Sequence, residues 1–151
     1  MGTPRWLTAD QERAWRGYRR MRTLLDLRIA RDLNQDSGLS DADYDVLSTL
    51  SERPDAVWRS SDLAKHLLWS TSRLSHHIGR METRGMVSRR SSADDGRGAV
   101  VTLTDLGWAT LHEAAPHHVE SVRRNLVDLL DAEEIATLDR IAEKVIAQLS
   151  E

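Results

Sequence analysis

Apolar residues recur at helical spacing along most of this 151-residue chain. The pattern predicts a long helix over about residues 8–33 and a second helix that is capped by Ser40. Two more helices are predicted in the C-terminal third, one whose apolar positions repeat over residues 105–129 and one over residues 132–149. The chain is therefore expected to be mainly helical. Pro116 lies inside the predicted helix over residues 105–129.

The segment at residues 60–104 has a different pattern, that of a short helix, a turn, a second helix and two strands. The predicted buried side of the short helix consists of Leu63, Ala64, Leu67 and Leu68. Ser70 or Thr71 is expected to cap the second helix, and Gly85 is expected to end it in left-handed backbone geometry. The apolar stripe of the second helix is Leu74, Ile78 and Met81.

The second helix also carries a basic and polar stripe. Arg73, His76 and Arg80 recur at i, i+3 and i+7, with serines and a glycine near them. Because arginine and histidine donate to base edges and phosphates and small residues permit close approach, this stripe suits the major groove of DNA. Taken alone, this pattern is also typical of an ordinary surface helix whose basic face is solvated. His77, next to His76, is expected at the flank of the helix.

Two β-prone runs, residues 86–90 and 99–103, follow this helix. An Asp-Gly pair at Asp95 lies between them and is a strong hairpin signal, because these residues tolerate positive φ angles. Arg97, at the hairpin tip, is expected to enter the narrow and negative minor groove. Residues 57–59 predict a very short strand that pairs with the hairpin. The predicted fold is mainly α with a small β-wing, a winged helix-turn-helix.

The charge distribution supports a nucleic-acid partner more than the total charge does. The formal net charge is −3, which argues mildly against such a partner. Residues 59–97 nevertheless hold eight Lys and Arg against four acidic residues, whereas residues 98–151 hold four against ten. The basic part coincides with the predicted DNA-binding segment, and a local positive surface is what electrostatic binding requires.

Composition and motifs exclude several classes of function. The chain has no cysteine, so disulfides, Cys-ligated zinc and thiol-based redox sensing are excluded. No membrane span or signal-peptide core is recognisable, so a cytoplasmic protein without a membrane partner is expected. No nucleophile–base constellation indicates an enzyme. The one metal-like cluster, in residues 112–118, lacks a His-x-x-x-His pair, and neither metal nor cofactor is expected.

Four motifs in order resemble the MarR family of bacterial transcription regulators: DLAKHL, STSRLSHHIGRMETRGMVSRR, DDGRG and VTLTDLG. Residues 85–90 match the family's passage into the wing. Asp95 and Arg97 resemble its Asp-x-Arg wing motif, and residues 103–107 resemble its Leu-Thr-x-x-Gly helix start. The helical remainder also fits, so the resemblance covers most of the chain as one domain.

The resemblance implies a triangular homodimer joined through the terminal helices, residues 8–34 and 105–149, with a DNA-binding lobe at residues 40–104. The sequence agrees, since those helices carry more apolar surface than a chain of this length easily hides alone. Two recognition helices would then face successive major grooves of an inverted repeat. The resemblance also implies release by a small aromatic or lipophilic effector. Nearby candidates, each more often a core residue than a pocket residue, are Trp15, Tyr18, Trp108, Leu111 and His112.

The predicted function is that of a repressor that binds double-stranded DNA as a homodimer. The predicted DNA contacts are Ser70, Thr71, Ser72, Arg73, Ser75, His76, Arg80, Arg89, Arg90, Asp95 and Arg97. Two alternatives remain open at this point. One is a metal-responsive repressor, and the other is an interaction protein that keeps the fold without binding DNA.

Overall fold

The structure is a computed structural model that describes residues 2–91 and 98–150. The helices and strands in these ranges are α1 (Ala9–Ser37), α2 (Asp41–Ser51), β1 (Val57–Arg59), α3 (Ser60–Leu67), α4 (Thr71–Thr83), β2 (Val87–Ser91), β3 (Ala99–Leu103), α5 (Asp105–Asn125), a 3-10 turn (Val127–Leu129) and α6 (Ala132–Leu149). The predicted class, mainly α with a small sheet, is confirmed. The hairpin tip with Asp95 and Arg97 lies outside the described residues.

The chain divides into two compact units. One comprises residues 33–118 and contains the whole sheet together with helices α2, α3 and α4. The other comprises the residues up to Asp32 and those from Val119 onward, and it contains α6. Helices α1 and α5 each contribute residues to both units.

The three strands of the first unit form an antiparallel sheet in the order β1-β3-β2. Trp58 pairs with Val101, which confirms the predicted short strand at residues 57–59 and its pairing with the hairpin. The hydrophobic core of this unit draws on α2, α3, α4, the sheet and α5, and its most buried large side chains include Leu47, Leu50, Leu63, Leu74, Ile78, Met81 and Val101. The apolar stripe predicted for α4 is therefore confirmed as a core face.

Local capping explains where the helices of this unit begin and end. The Ser40 hydroxyl accepts the Asp43 amide at 3.0 Å and the Asp43 carboxylate accepts the Ser40 amide, which forms a capping box at the start of α2. Beyond α4, Gly85 has φ +81°, so the predicted left-handed end is confirmed.

The expectation that Leu68 lies on the buried side of α3 is wrong. Leu68 has φ +58° and ψ +36°, and its side chain is 91% exposed. The reason is that this residue ends the helix in left-handed geometry, which turns its side chain away from the face that buries Leu63 and Ala64. Glycine is the usual residue in left-handed backbone geometry. Because this position holds a leucine, the sequence pattern does not show that the helix ends here.

The expectation that the fifth helix runs to Leu129 is also wrong. Leu126 adopts φ −143° and ψ −65°, which is not helical, and a 3-10 turn replaces the last predicted turn. The spacing of apolar residues does not reveal where α5 ends, because a 3-10 turn also places residues on one side every three positions. Pro116 is accommodated inside α5.

The second unit contains a buried polar cluster around Asp32 and exposes several large apolar side chains, among them Leu27 and Ile146. The buried Asp32 carboxylate accepts hydrogen bonds from Ser121 at 2.7 Å and from Arg124 and Asn125 at 3.2 Å. The hydrogen bond from Ser121 lowers the pKa of this carboxyl below its ordinary value, although burial opposes it. None of the helices in the described part of the chain has the length and apolar character needed to cross a membrane.

Candidate nucleic-acid interface

Helix α4 turns one face to the core and the opposite face outward. The Ser70 hydroxyl accepts the Arg73 amide at 3.1 Å, which identifies Ser70 rather than Thr71 as the N-cap. With Leu74, Ile78 and Met81 fixed in the core, the predicted basic stripe of Arg73, His76 and Arg80 is exposed to solvent. Burial of one face therefore determines which side chains α4 presents.

The predicted small polar contacts are on the same exposed part of the chain. Ser70, Thr71, Ser72 and Ser75 are all exposed, at the start and along the first turns of α4. The Ser70 hydroxyl is occupied by capping, and the hydroxyl and carbonyl oxygens of Ser75 both accept from the Arg89 guanidinium. Ser70 and Ser75 therefore stabilise the start of α4 and its contact with Arg89. All four side chains are also small, so they leave the surface of α4 accessible.

Arg89 joins strand β2 to α4 through hydrogen bonds. Its guanidinium lies 3.1 Å from the Ser75 hydroxyl, and its backbone amide donates to the Glu82 carboxylate at 2.8 Å. Arg89 also lines a cavity of about 300 Å³ together with Arg59, Ser60 and Thr71. Arg90, the next residue along the strand, is exposed.

Arg73 is stacked on an aromatic ring. Its guanidinium carbon lies 4.2 Å from the centroid of the Trp69 ring, at cation–π distance. Trp69 is half-buried at the turn that precedes α4. The sequence pattern showed Trp69 only as a break between two helices, so its role as a platform for Arg73 was missed.

His77 lies in the protein interior rather than at the flank of α4, so that expectation is wrong. The residue is 8% exposed, and its Nε2 lies 3.0 Å from Oδ1 of Asp43, which completes the capping box of α2. Its Nδ1 lies 3.0 Å from a guanidinium nitrogen of Arg80. Arg84 donates to the other oxygen of Asp43 at 2.8 Å. No local sequence signal identifies partners that are more than 30 residues apart.

Burial and the neighbouring charges shift the pKa values of both Asp43 and His77. Burial raises the pKa of the Asp43 carboxyl, but hydrogen bonds from Arg84 and Ser40 outweigh it, so the pKa lies below its ordinary value. Burial lowers the pKa of His77, and the nearby Arg80 lowers it further, against the opposing effect of Asp43. At neutral pH the pair is therefore a carboxylate facing a neutral imidazole.

The effector candidates occur in both units. Trp15 and Tyr18 lie on α1 in the unit of the terminal helices, are about half exposed, and have ring centroids 6.0 Å apart. Trp108 and His112 lie on α5 in the other unit with centroids 5.7 Å apart, and Leu111 is buried in the core. Their role in binding a ligand stays a prediction.

The histidine-rich part of α5 does not assemble a metal site within the described residues. Across residues 2–91 and 98–150, no group of three or more His, Asp or Glu side chains is arranged to hold a metal ion. His118 instead packs against Tyr44, with ring centroids 4.3 Å apart.

A core-anchored helix with an exposed basic face, next to a sheet formed by a hairpin and one more strand, defines a winged helix-turn-helix protein. A sequence model of the MarR family matches residues 37–98. The transcriptional regulator PecS of Dickeya dadantii is 32% identical over 87 residues, which are 56% of this chain and 52% of that protein. The chain spans about half the length of the curated relatives it matches.

Solved structures match over nearly the whole chain. AbsC, a MarR family transcriptional regulator from Streptomyces coelicolor, is 40% identical with a TM-score of 0.92, covering 97% of this chain and 99% of that one. Sco3205, a MarR family transcriptional regulator from the same organism solved in complex with DNA, is 38% identical with a TM-score of 0.94, covering 99% and 93%. The chain therefore belongs to the MarR family of transcriptional regulators, as its motifs predicted.

Proposed function

We propose that this chain binds double-stranded DNA sequence-specifically, with α4 in the major groove. The observation that carries the proposal is the outward face of α4, on which Arg73, His76 and Arg80 are exposed while the opposite face is buried. Sco3205, a relative of nearly the same length and fold, was solved in complex with DNA, which supports the same role here. A role on the chromosome implies a cytoplasmic protein.

Within this proposal the polar residues have different tasks. Arg73 and His76 reach base edges, because they lie on the first turns of a helix that enters the groove with its N-terminal part. Ser70, Thr71, Ser72 and Ser75 permit close approach, and Arg80, Arg89 and Arg90 contact phosphates. Asp95 and Arg97, outside the described residues, act at the wing, with Arg97 in the minor groove.

We further propose that the DNA-binding form is a homodimer. Helix α6 has no buried residue, and it exposes Ile141, Val145 and Ile146 by 50% or more. A single amphipathic helix of 18 residues is marginal in water without a packed face. A second copy of the chain would cover this face, and its two-fold symmetry would select an inverted-repeat operator.

Repression and its relief complete the proposal. A dimer seated on an operator upstream of a gene blocks transcription, and a small aromatic or lipophilic effector releases it. The exposed ring pair of Trp15 and Tyr18 supports an aromatic ligand over a polar one. The DNA-binding assay described next also serves to screen such molecules.

The test is fluorescence anisotropy on DNA taken from immediately upstream of the protein's own gene, compared with scrambled DNA at two salt concentrations. We expect sequence-selective binding that weakens steeply with salt, because phosphate contacts release counterions. Arg73→Ala is expected to cost about 1–3 kcal/mol and to relax specificity at one base pair if Arg73 reads a guanine.

The matched control is Arg20→Ala, which removes the same charge from an exposed position on α1. Equal losses for the two variants would show that only net charge matters and would contradict the role of α4. Salt-insensitive or absent binding to a library of genomic fragments would favour the alternative of an interaction protein that keeps the fold. Loss of binding with a chelator would instead support a metal-responsive repressor.

A further inference from the structure

His77 is the one histidine of α4 that the DNA-binding role does not use, and the structure surrounds it with partners. Its ring is 8% exposed and lies between Asp43 of α2 and the exposed side of α4. The edge of the ring meets the Trp69 ring, with centroids 5.5 Å apart and planes at 82°. These contacts leave the imidazole little freedom to rotate.

The partners of His77 specify its tautomer. Nδ1 lies 3.0 Å from a guanidinium nitrogen of Arg80, and a guanidinium can only donate, so Nδ1 accepts and the proton belongs on Nε2. Nε2 lies 3.0 Å from the Asp43 carboxylate, within ion-pair distance but without hydrogen-bond geometry. The Asp43 carboxylate is itself held by the Ser40 amide and by Arg84. The negative charge of this carboxylate favours the same tautomer, because it attracts a proton on Nε2.

The geometry assigns His77 as a positioning residue for DNA binding: its Nδ1 holds the Arg80 guanidinium in the orientation that meets the DNA backbone. The assignment rests on the proposed function, since it gives Arg80 a phosphate to contact. A guanidinium has five N–H donors, so one bond to His77 leaves the others for DNA. An arginine held in place before binding loses less side-chain entropy when the complex forms.

Burial and the charges around the ring keep His77 neutral, and this arrangement intact, at neutral pH. The groups that face His77 are Asp43 from α2, with Arg84 on the same carboxylate, and Arg80 and Arg73 from α4. Burial lowers the pKa of His77, and both arginines lower it further, whereas the Asp43 carboxylate raises it without reversing the shift. Protonation at lower pH would turn Nδ1 into a donor that faces another donor, and Arg80 would be released.

The experiment is a double-mutant cycle on DNA affinity with His77→Gln and Arg80→Ala, which separates an effect through Arg80 from a general structural effect. Glutamine retains a donor toward Asp43 but has no acceptor at the Nδ1 position. We expect His77→Gln to weaken specific binding by roughly 3- to 10-fold, the fold-change that corresponds to the net contribution of one typical hydrogen bond. In the Arg80→Ala background the same substitution is expected to change affinity by less than about twofold.

His117→Gln is the matched control, since His117 is exposed on α5 and lies outside the interface. A loss from His77→Gln that is equal in both backgrounds, or no loss at all, would overturn the assignment. Wild-type protein that binds no DNA would instead overturn the proposed function, and the positioning role with it.

A second measurement keeps the inference testable if His77→Gln does not fold. In ¹⁵N NMR of the wild-type protein at neutral pH, Nε2 of His77 is expected to be protonated and Nδ1 unprotonated, and Arg80→Ala is expected to shift the Nδ1 resonance. A protonated Nδ1, or an Nδ1 resonance that does not respond to Arg80→Ala, would refute the contact directly.

Discussion

At the scale of single residues, Gly107 determines how closely the start of α5 approaches the backbone before β2. A Cβ atom at this position would lie 2.1 Å from the Met86 carbonyl oxygen and 3.0 Å from the Leu103 side chain. Because the closest atom is backbone, the clash cannot be relieved by a rotamer change. We expect Gly107→Ala to lower the free energy of unfolding by roughly 1–3 kcal/mol, as overpacking typically does.

Urea unfolding measures this effect as a lower midpoint with an unchanged slope. Gly17→Ala is the matched control, because a Cβ at Gly17 meets nothing within 4 Å and the residue lies inside α1. That substitution is expected to stabilise the protein by roughly 0.5–1 kcal/mol through helix propensity. Similar midpoints for the two variants would show that the close approach of α5 to the Met86 carbonyl oxygen does not require glycine at position 107.

At the scale of secondary-structure elements, the link between α2 and α4 makes stability depend on pH. The ordinary pKa of a histidine, 6.5, applies in the unfolded chain, and the pKa of His77 in the folded protein is lower. Between those two values the unfolded state binds more protons, so acidification below 6.5 favours unfolding. The Asp43 carboxylate, with its pKa lowered below 3.8, contributes stability that is lost only in more acidic solution.

Chemical denaturation at a series of pH values is the measurement. We expect the unfolding free energy of the wild type to fall as the pH drops from 6.5 toward the folded pKa of His77, and the fall to be smaller in His77→Gln. His117→Gln, at an exposed position, is the comparison variant. Parallel curves for the wild type and His77→Gln would mean that His77 has the same pKa in both states.

The helices and strands were predictable from sequence where local chemistry determines them. Ser70 determines where α4 begins through a hydrogen bond, and Gly85 determines where it ends through its backbone geometry. The apolar stripe determines which face of the helix is buried. Leu68 was misassigned because its left-handed backbone is not encoded by residue type. The contact of His77 with Asp43 joins elements that are distant in sequence, so it could be seen only once the chain was folded.

At the scale of the whole molecule, the terminal helices expose several large apolar side chains. On α1, Trp15, Met21 and Leu24 are each exposed by 44% or more, and on α6 the apolar positions share one side. Large apolar side chains that are exposed together are typical of an interface with another protein. The proposed occupant, a second copy, has the same unsatisfied surface and so complements it by symmetry.

Ile141→Glu tests this assembly, because it places a charge on the exposed apolar side of α6, where Ile141 is 54% exposed. We expect sedimentation velocity to show a dimer for the wild type and a monomer for the variant, since an unpaired buried carboxylate is costly at an interface. Affinity for the inverted repeat should then fall roughly 100-fold or more, because the second half-site no longer binds intramolecularly. Arg140→Glu introduces the same side chain on the opposite side of the helix and should leave both properties intact. A wild-type protein that sediments as a monomer while binding an inverted repeat tightly would refute the dimer and leave the DNA-binding role of α4 standing.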